Sequence, residues 1–263
     1  MSETSKTIWI TGASSGIGEA LAYAYSKTGS RIILSSRKKG QLERVQKQCE
    51  TLGGEAFVEP IDLSELDALK GQAKHILETY GPIDLLINNG GVAQRSTVIA
   101  TNLEIEQTIM RINFLGHVEL TRAVLPDMIQ QKKGHIVVVS SVMGKFSTPG
   151  SATYSASKHA LQGYFDALRA EVDQYGVKVT IVCPGFVKTR ISYNALTSDG
   201  TPHDKMDRGQ QRGISPEACA NKIIKAVNRG REEITIGGPE IAAVYIKRWF
   251  PWLLSRIVKR IKR

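Results

Sequence analysis

Short apolar runs alternate with polar, helix-patterned stretches along most of the chain. Ile8–Ile10 ends in a Gly-rich turn, and a helical pattern follows through Ala20–Tyr25. Arg31–Leu34 is a short β-rich run, followed by a polar helical stretch to Leu52. Ala56–Glu59 reads as a third strand, and a helix from Ser64 runs to Tyr80, where Gly81-Pro82 breaks it. Ile83–Ile87 is a compact apolar strand, and Leu103–Gln131 is one long helical stretch. His135–Val139 is the purest β-branched run in the chain. Ala152–Tyr175 reads as a helix ended by Gly176, Val177–Val182 as a strand, Pro216–Arg229 as a helix and Glu233–Ile236 as a last strand. Short continuous apolar strands separated by helices predict βαβ units and a parallel sheet covered on both faces. The expected fold is one doubly wound α/β domain with seven strands. Ser192–Gly213 is the one long irregular stretch, rich in Gly, Asp, Ser and Thr. Ligands in such sheets sit beyond the carboxyl ends of the strands, so this stretch is expected to form a mobile lid.

Composition narrows the class. The 263 residues are 41% hydrophobic and 23% charged, which fits a globular chain and excludes disordered and fibrous ones. No apolar run approaches the roughly 20 residues that span a bilayer. The polar start followed at once by Gly12 predicts no signal peptide. Cys49, Cys183 and Cys219 form neither a disulfide framework nor a metal-ligand spacing, so buried thiols in a reducing, cytoplasmic compartment are expected. The five histidines have no H-x-x-x-H or Cys partner, and no metal site is expected. Net charge is +10, but residues 241–263 hold seven cations and no acid, leaving +3 for residues 1–240. The basic character therefore belongs to the tail.

Three groups of residues carry candidate chemistry. Thr11-Gly12-Ala13-Ser14-Ser15-Gly16-Ile17-Gly18 joins the first strand to the first helix. Glycines let the backbone approach a pyrophosphate, and the helix N-terminus offers it free N–H groups. A plain tight turn is the alternative. After the second strand comes Ser36-Arg37-Lys38-Lys39, with no acid to bind a ribose 2′-hydroxyl. Arg at this place accommodates a 2′-phosphate, which favours NADP(H) over NAD(H); the alternative is a solvated basic turn. Tyr154 and Lys158 lie four apart and share a helix face. A nearby ammonium favours a phenolate, so the pair suits general acid–base work on an alcohol or ketone. An ordinary exposed pair is the alternative. Ser141, just past the strand at Ile136–Ser140, could hydrogen-bond a substrate carbonyl.

Taken together, these residues resemble the short-chain dehydrogenase/reductase family. The matching pieces are Thr11–Gly18, Asp62-Leu63, Asn88-Asn89-Gly90-Gly91, Asn113, Ser140-Ser141, Tyr154-x-x-x-Lys158 and Pro184-Gly185-x-Val187-x-Thr189, in family order across residues 6–237. The family's usual Asn-Asn-Ala-Gly departs here, with Gly90 in place of the alanine. That smaller residue is expected to loosen packing near the adenosine ribose without removing function. The resemblance implies a Rossmann-type domain over residues 1–240, with the lid at about 190–213; residues 241–263 read from their own charge and periodicity as a basic amphipathic tail. It implies that Tyr154 is the proton donor in reduction, and that Lys158 lowers its pKa and holds the nicotinamide ribose. Ser141 would orient the substrate carbonyl and Asn113 would anchor a relay water. Asp62 would accept from the adenine amino group beside the Leu63 backbone, and Asn89, Gly90 and Gly91 would line the adenosine ribose. Pro184, Gly185, Val187 and Thr189 would bind the carboxamide, and Ser14 and Arg37 would meet a 2′-phosphate. The resemblance also implies a homo-dimer or homo-tetramer built on the long helices, and a small carbonyl or alcohol substrate.

Specificity in the family comes from the segment after Thr189, here up to about Gly213, with Ile191, Tyr193, Leu196 and Met206. The tail is unusual. From Pro251, Leu253, Ile257 and Ile261 repeat at i, i+4, with Arg256, Lys259, Arg260, Lys262 and Arg263 on other positions. Trp, Leu and Lys/Arg in one amphipathic helix describe an interfacial segment, so the tail is expected to touch an anionic membrane from the cytosolic side. Packing on the protein or on a second subunit is the alternative. Nucleic-acid binding is disfavoured, because basicity is confined to the terminus with no nucleic-acid motif. A membrane-facing tail favours lipophilic substrates such as a keto-lipid, a steroid-like ketone, a retinoid or a quinone-like molecule; small polar sugars and acyl-carrier substrates stay open. A cofactor-binding scaffold or sensor docked by its tail is the rival to an enzyme, and such a protein has little need of a complete acid–base set.

Overall fold

The computed structural model describes residues 6–261. Seven strands form one parallel sheet: β1 (Thr7–Thr11), β2 (Arg31–Ser35), β3 (Glu55–Val58), β4 (Leu85–Asn88), β5 (Gly134–Val139), β6 (Val177–Pro184) and β7 (Glu233–Ile236). Their order is β3-β2-β1-β4-β5-β6-β7. Ile8 pairs with Ile32 on one side and Leu85 on the other. The winding direction reverses between β1 and β4, which opens a crevice at their carboxyl ends.

Helices cover both faces because every central strand is apolar on both. α1 (Gly16–Ser26), α2 (Lys39–Thr51) and α8 (Pro216–Asn228) pack over Ile8, Ile10, Ile32, Leu34, Ile87 and Val137. α3 (Leu66–Tyr80), α5 (Gly116–Gln130) and α6 (Ala152–Val172) pack over Trp9, Ile33, Leu86, Ile136, Val138 and Ile181. Each strand alternates between the two cores: Trp9 faces one and Ile8 and Ile10 the other.

The elements lie where the apolar runs place them, with boundaries moved by a few residues. Three differences stand out. α3 starts at Leu66 rather than Ser64, because Asp62 Oδ1 accepts from Ser64 N at 2.9 Å and Ser64 Oγ at 2.7 Å and forms a turn first. The expected single helix over 103–131 is α4 (Leu103–Met110), a π-helical segment Arg111–Leu115, and α5. The wider turn seats buried Asn113, whose amide bonds elsewhere in the fold. The lid region contains a short helix, α7 (Arg208–Gln211), and isolated bridges from Leu196 to Gln94 and Pro202.

The C-terminal region carries the amphipathic helix expected from Pro251, with a second helix before it. It forms α9 (Ala242–Trp249) and α10 (Pro251–Val258). The residue before a proline is disfavoured in the helical region, and Phe250 at φ −133°, ψ 62° makes the break. The buried residue is Leu254, packed against Val142 and Phe146 with Val258 beside it. Ile257 and Ile261, from the expected apolar stripe, are 44% and 40% exposed. Lys262 and Arg263 lie outside the described residues. No helix among the described residues is long and apolar enough to cross a membrane. This packing sets an expected outcome: Leu254→Ala should lower stability by about 2 kcal/mol in urea unfolding. Leu253→Ala, at a half-buried site, should cost less than about 1 kcal/mol.

Candidate active site

The crevice is a cleft of about 910 Å³. Its floor is made where the loops after β1 and β4 touch. Gly12 has φ +63°, and a Cβ there would lie 2.8 Å from the Gly90 Cα, so the two backbones meet with no room for a side chain between them. Thr11 Oγ1 accepts from Asn89 N at 2.9 Å and Gly90 N at 3.0 Å, and Asn89 Nδ2 donates back to Thr11 O at 3.0 Å. No side chain caps the N-terminus of α1 at Ser15. That helix end therefore keeps N–H groups for an anion lying in the cleft.

Beyond β2 the cleft ends among Ser14, Arg37, Lys38 and Arg44. Arg44 Nη1 donates to Glu19 at 2.7 Å, and Nη2 to the Ser14 carbonyl at 3.3 Å. Burial alone would raise the Glu19 carboxyl, but hydrogen bonds from Arg44 and Tyr23 outweigh it and hold the group below its usual value. Arg44 escapes the sequence reading. Its signal is the i, i+3 spacing from Gln41, another lining residue, on α2.

Four segments meet at the candidate acid–base residues. Ser141 starts the 3₁₀ turn Val142–Gly144 after β5, accepting from Met143 N at 3.1 Å and donating to Pro184 O at 3.3 Å. Tyr154 stands in the first turn of α6 and Lys158 one turn later. Gln94 Oε1 caps this helix, accepting from Thr153 N at 2.8 Å and Tyr154 N at 3.2 Å. Asn113 accepts from Val92 N at 2.8 Å and donates to Ser157 Oγ at 3.1 Å. Lys158 Nζ donates to the Val139 carbonyl at 2.8 Å and lies 5.9 Å from the Tyr154 ring centre.

Burial pushes the Tyr154 phenol up, while a hydrogen bond with Ser141 and the charge of Arg95 oppose the rise. Burial also pushes Lys158 down from 10.5 to about 8. Arg95 is thus a second cation facing the tyrosine, unforeseen in the sequence. It pairs with Asp207 in the lid, and its backbone N bonds Leu196 O at 2.9 Å. Ser192 and Gln210 also bond within the lid.

Gly12, Ser14, Ser15, Gly16, Ile17, Arg37, Asp62, Leu63, Asn89, Gly90, Gly91 and Thr189 line the cleft. Gly18, Pro184, Gly185 and Val187 do not line it. Gly18 packs against the Gly12 carbonyl, and Gly185 N bonds Ile236 O at 2.7 Å. Asn113 and Lys158 abut Gly91: a Cβ there would lie 3.1 Å from Asn113 Oδ1 and 3.7 Å from Lys158 Nζ. The expected looseness at Gly90 is absent, since Leu63 Cδ1 lies 2.5 Å from where an alanine Cβ would stand. Leu63 fills the space of the missing methyl. His117, which the sequence reading set aside, is fully buried beneath this loop, with Nε2 2.7 Å from Gly90 O and Nδ1 3.2 Å from Asn88 Oδ1. All three cysteines are free and buried, and among the described residues no group of His, Cys, Asp or Glu is placed to hold a metal.

Residues 6–199 match the family model for short chain dehydrogenase. The chain belongs to the short-chain dehydrogenase/reductase family. It is 40% identical over 262 residues to an Anopheles gambiae protein named "Dehydrogenase/reductase SDR family protein 7-like", covering 97% of this chain and 82% of that one. A Burkholderia phymatum short-chain dehydrogenase/reductase solved with NAD is 25% identical, with TM-score 0.82 and 95% of each chain covered. A metagenomic short-chain oxidoreductase solved with NADP is 28% identical, with TM-score 0.73, covering 88% of this chain and 96% of that one.

Buried histidines give this family member a pH signature. Burial and the Lys158 charge push His117 down to about 3. Burial, with Lys178 and Lys6, pushes His135 down to about 4. Both lie below the unfolded value of 6.5, so the unfolded chain takes up protons that the folded one refuses. Stability should be lost as pH falls from about 6.5 towards 5, by about 1.4 kcal/mol per pH unit for each histidine at most. Urea unfolding of His117→Gln should show about half of the slope that the two histidines give together; an unchanged slope would exclude His117 as a source.

Proposed function

We propose that this oxidoreductase is NADP(H)-dependent and interconverts a carbonyl and a secondary alcohol on a lipophilic substrate. The observation that carries the reading is the convergence of Ser141, Tyr154, Lys158 and Asn113 on one corner beside the cleft. Ser14, Arg37, Lys38 and Arg44 at the far end support a 2′-phosphate, with Glu19 tied to Arg44. Bound nicotinamide supplies or accepts the hydride.

The protein's own residues hold and move the proton. Tyr154 gives its proton to the substrate oxygen in reduction and takes it back in oxidation. Ser141 holds that oxygen and fixes its distance from the phenol. The Lys158 charge favours the phenolate and holds ribose hydroxyls, and Asn113 keeps Ser157 and the Val92 loop in register beneath it. Asp62 and Leu63 take the adenine side. Of the Pro184–Thr189 segment, Thr189 lines the cleft and takes the carboxamide side, its Cγ2 2.9 Å from where a Cβ on Gly16 would stand. Ile191, Leu196 and Met206 of the lid line the cleft and suit an apolar substrate.

A scaffold that only binds nucleotide has no use for this acid–base set, so catalysis is the favoured reading. Buried free thiols suit a reducing, cytoplasmic setting. Exposed Leu103 and Leu115, on the long helical stretch, suit a homo-oligomer.

The test is titration with NADPH and NADH, together with an NADPH-consumption screen of lipophilic ketones. NADPH should bind about tenfold tighter or more, and Arg37→Asp should erase the preference. Tyr154→Phe should lower turnover about a hundredfold or more while nucleotide binding holds. Equal affinities would contradict the cofactor assignment, and unchanged turnover in Tyr154→Phe would contradict the acid.

A further inference from the structure

We propose that the α9–α10 pair is a docking module for an anionic lipid bilayer surface, independent of which nucleotide or substrate the cleft takes. The module is fixed to the body. Leu254 is buried against Val142 and Phe146, and Ile246 and Val244 pack partly against the same cluster. At its root, Glu240 accepts from Phe186 N at 2.8 Å and Gly238 N at 3.0 Å. The segment beneath Leu254 follows Ser141 directly, so the module sits one layer of side chains from the candidate substrate corner.

The side turned away from the body is apolar and aromatic. Tyr245, Trp249, Phe250, Trp252, Ile257 and Ile261 are between 40% and 72% exposed. They make up half of the large exposed hydrophobic residues among those described. Tyr245 and Trp249 are neighbours at i, i+4 on α9. Five cations, Lys247, Arg248, Arg256, Lys259 and Arg260, stand among them without an acid. None of the five forms an ion pair among the described residues; Arg256 lies over the Trp252 ring at 5.3 Å.

Charge complementarity selects the occupant. Indole and phenol rings settle at the headgroup level of a bilayer, and cations beside them meet anionic headgroups. A second copy in an isologous contact would set the same five cations against one another. A nucleic acid would use the cations and the rings but leave Ile257 and Ile261 in water. A bilayer uses all three kinds of side chain at once.

The tryptophans provide the readout. Trp9 is fully buried, so lipid-dependent quenching reports Trp249 and Trp252 alone. The full chain should be mixed with vesicles of phosphatidylcholine, and of phosphatidylcholine with phosphatidylserine, each with and without brominated acyl chains. Binding should be at least about tenfold tighter to the serine-containing vesicles, weaken with salt, and show quenching by brominated chains. The triple variant Lys247→Gln, Arg256→Gln, Arg260→Gln should bind about a hundredfold more weakly. Trp249→Ala with Ile257→Ala should lose the tight binding while nucleotide binding certifies the fold.

Four results would overturn the proposal: no binding to serine-containing vesicles at low salt, binding that these variants leave unchanged, tighter binding to an oligonucleotide than to vesicles, or self-association abolished by Trp249→Ala.

Discussion

The Lys158 ammonium lies almost fully buried at the carboxyl edge of the sheet, donating to the Val139 carbonyl at 2.8 Å. An ammonium taken out of water is costly unless hydrogen-bonded, and this one has lost enough solvation for its pKa to fall to about 8. Much of the surrounding structure holds it there. Ser140 Oγ donates to the Lys158 carbonyl at 3.0 Å, Gln94 caps α6, and Asn113 reaches from the π-helical segment to Ser157. The end of β5, the loop after β4 and the middle of the long helical stretch therefore meet on one turn of α6. That turn carries both Tyr154 and Lys158. The reversal of strand order between β1 and β4 opens the nucleotide cleft beside them.

Charge is divided between two jobs. At the far end of the cleft, Arg37, Lys38 and Arg44 line the same stretch as Ser14, whose carbonyl accepts from Arg44 Nη2 at 3.3 Å. At the C-terminus, the cations lie among exposed aromatic rings and face solvent. The first set suits a small anion at short range. The second suits a broad surface, and its field is the one that salt would screen most.

The sheet was legible because strands buried on both faces must be apolar throughout, and Ile8–Ile10, Ile83–Ile87 and His135–Val139 stand out against polar helices. The glycine loop, Asn113, Ser141, Tyr154 and Lys158 were legible as a set, because their order and spacing coincide with the family's. The contacts that act across the fold were not. Nothing local in Arg111–Leu115 marks a π-helix; it exists because Asn113 finds partners at Val92 and Ser157. Gln94, Arg95 and His117 act through residues distant in the chain. From Pro251 on, Leu253–Ile257–Ile261 and Leu254–Val258 are both apolar at i, i+4, and periodicity alone does not say which one the body covers. Leu63 filling the space beside Gly90 is likewise a packing response that composition does not reveal.

Desolvation of Lys158 beside the Val139 carbonyl lowers the pKa of its ammonium. ¹⁵N-lysine NMR through a pH titration of the full chain, with Lys158→Met to assign the resonance, measures it directly. The account predicts that the Lys158 ammonium loses its proton near pH 8 in the free protein. A midpoint at the ordinary lysine value of 10.5 would contradict it.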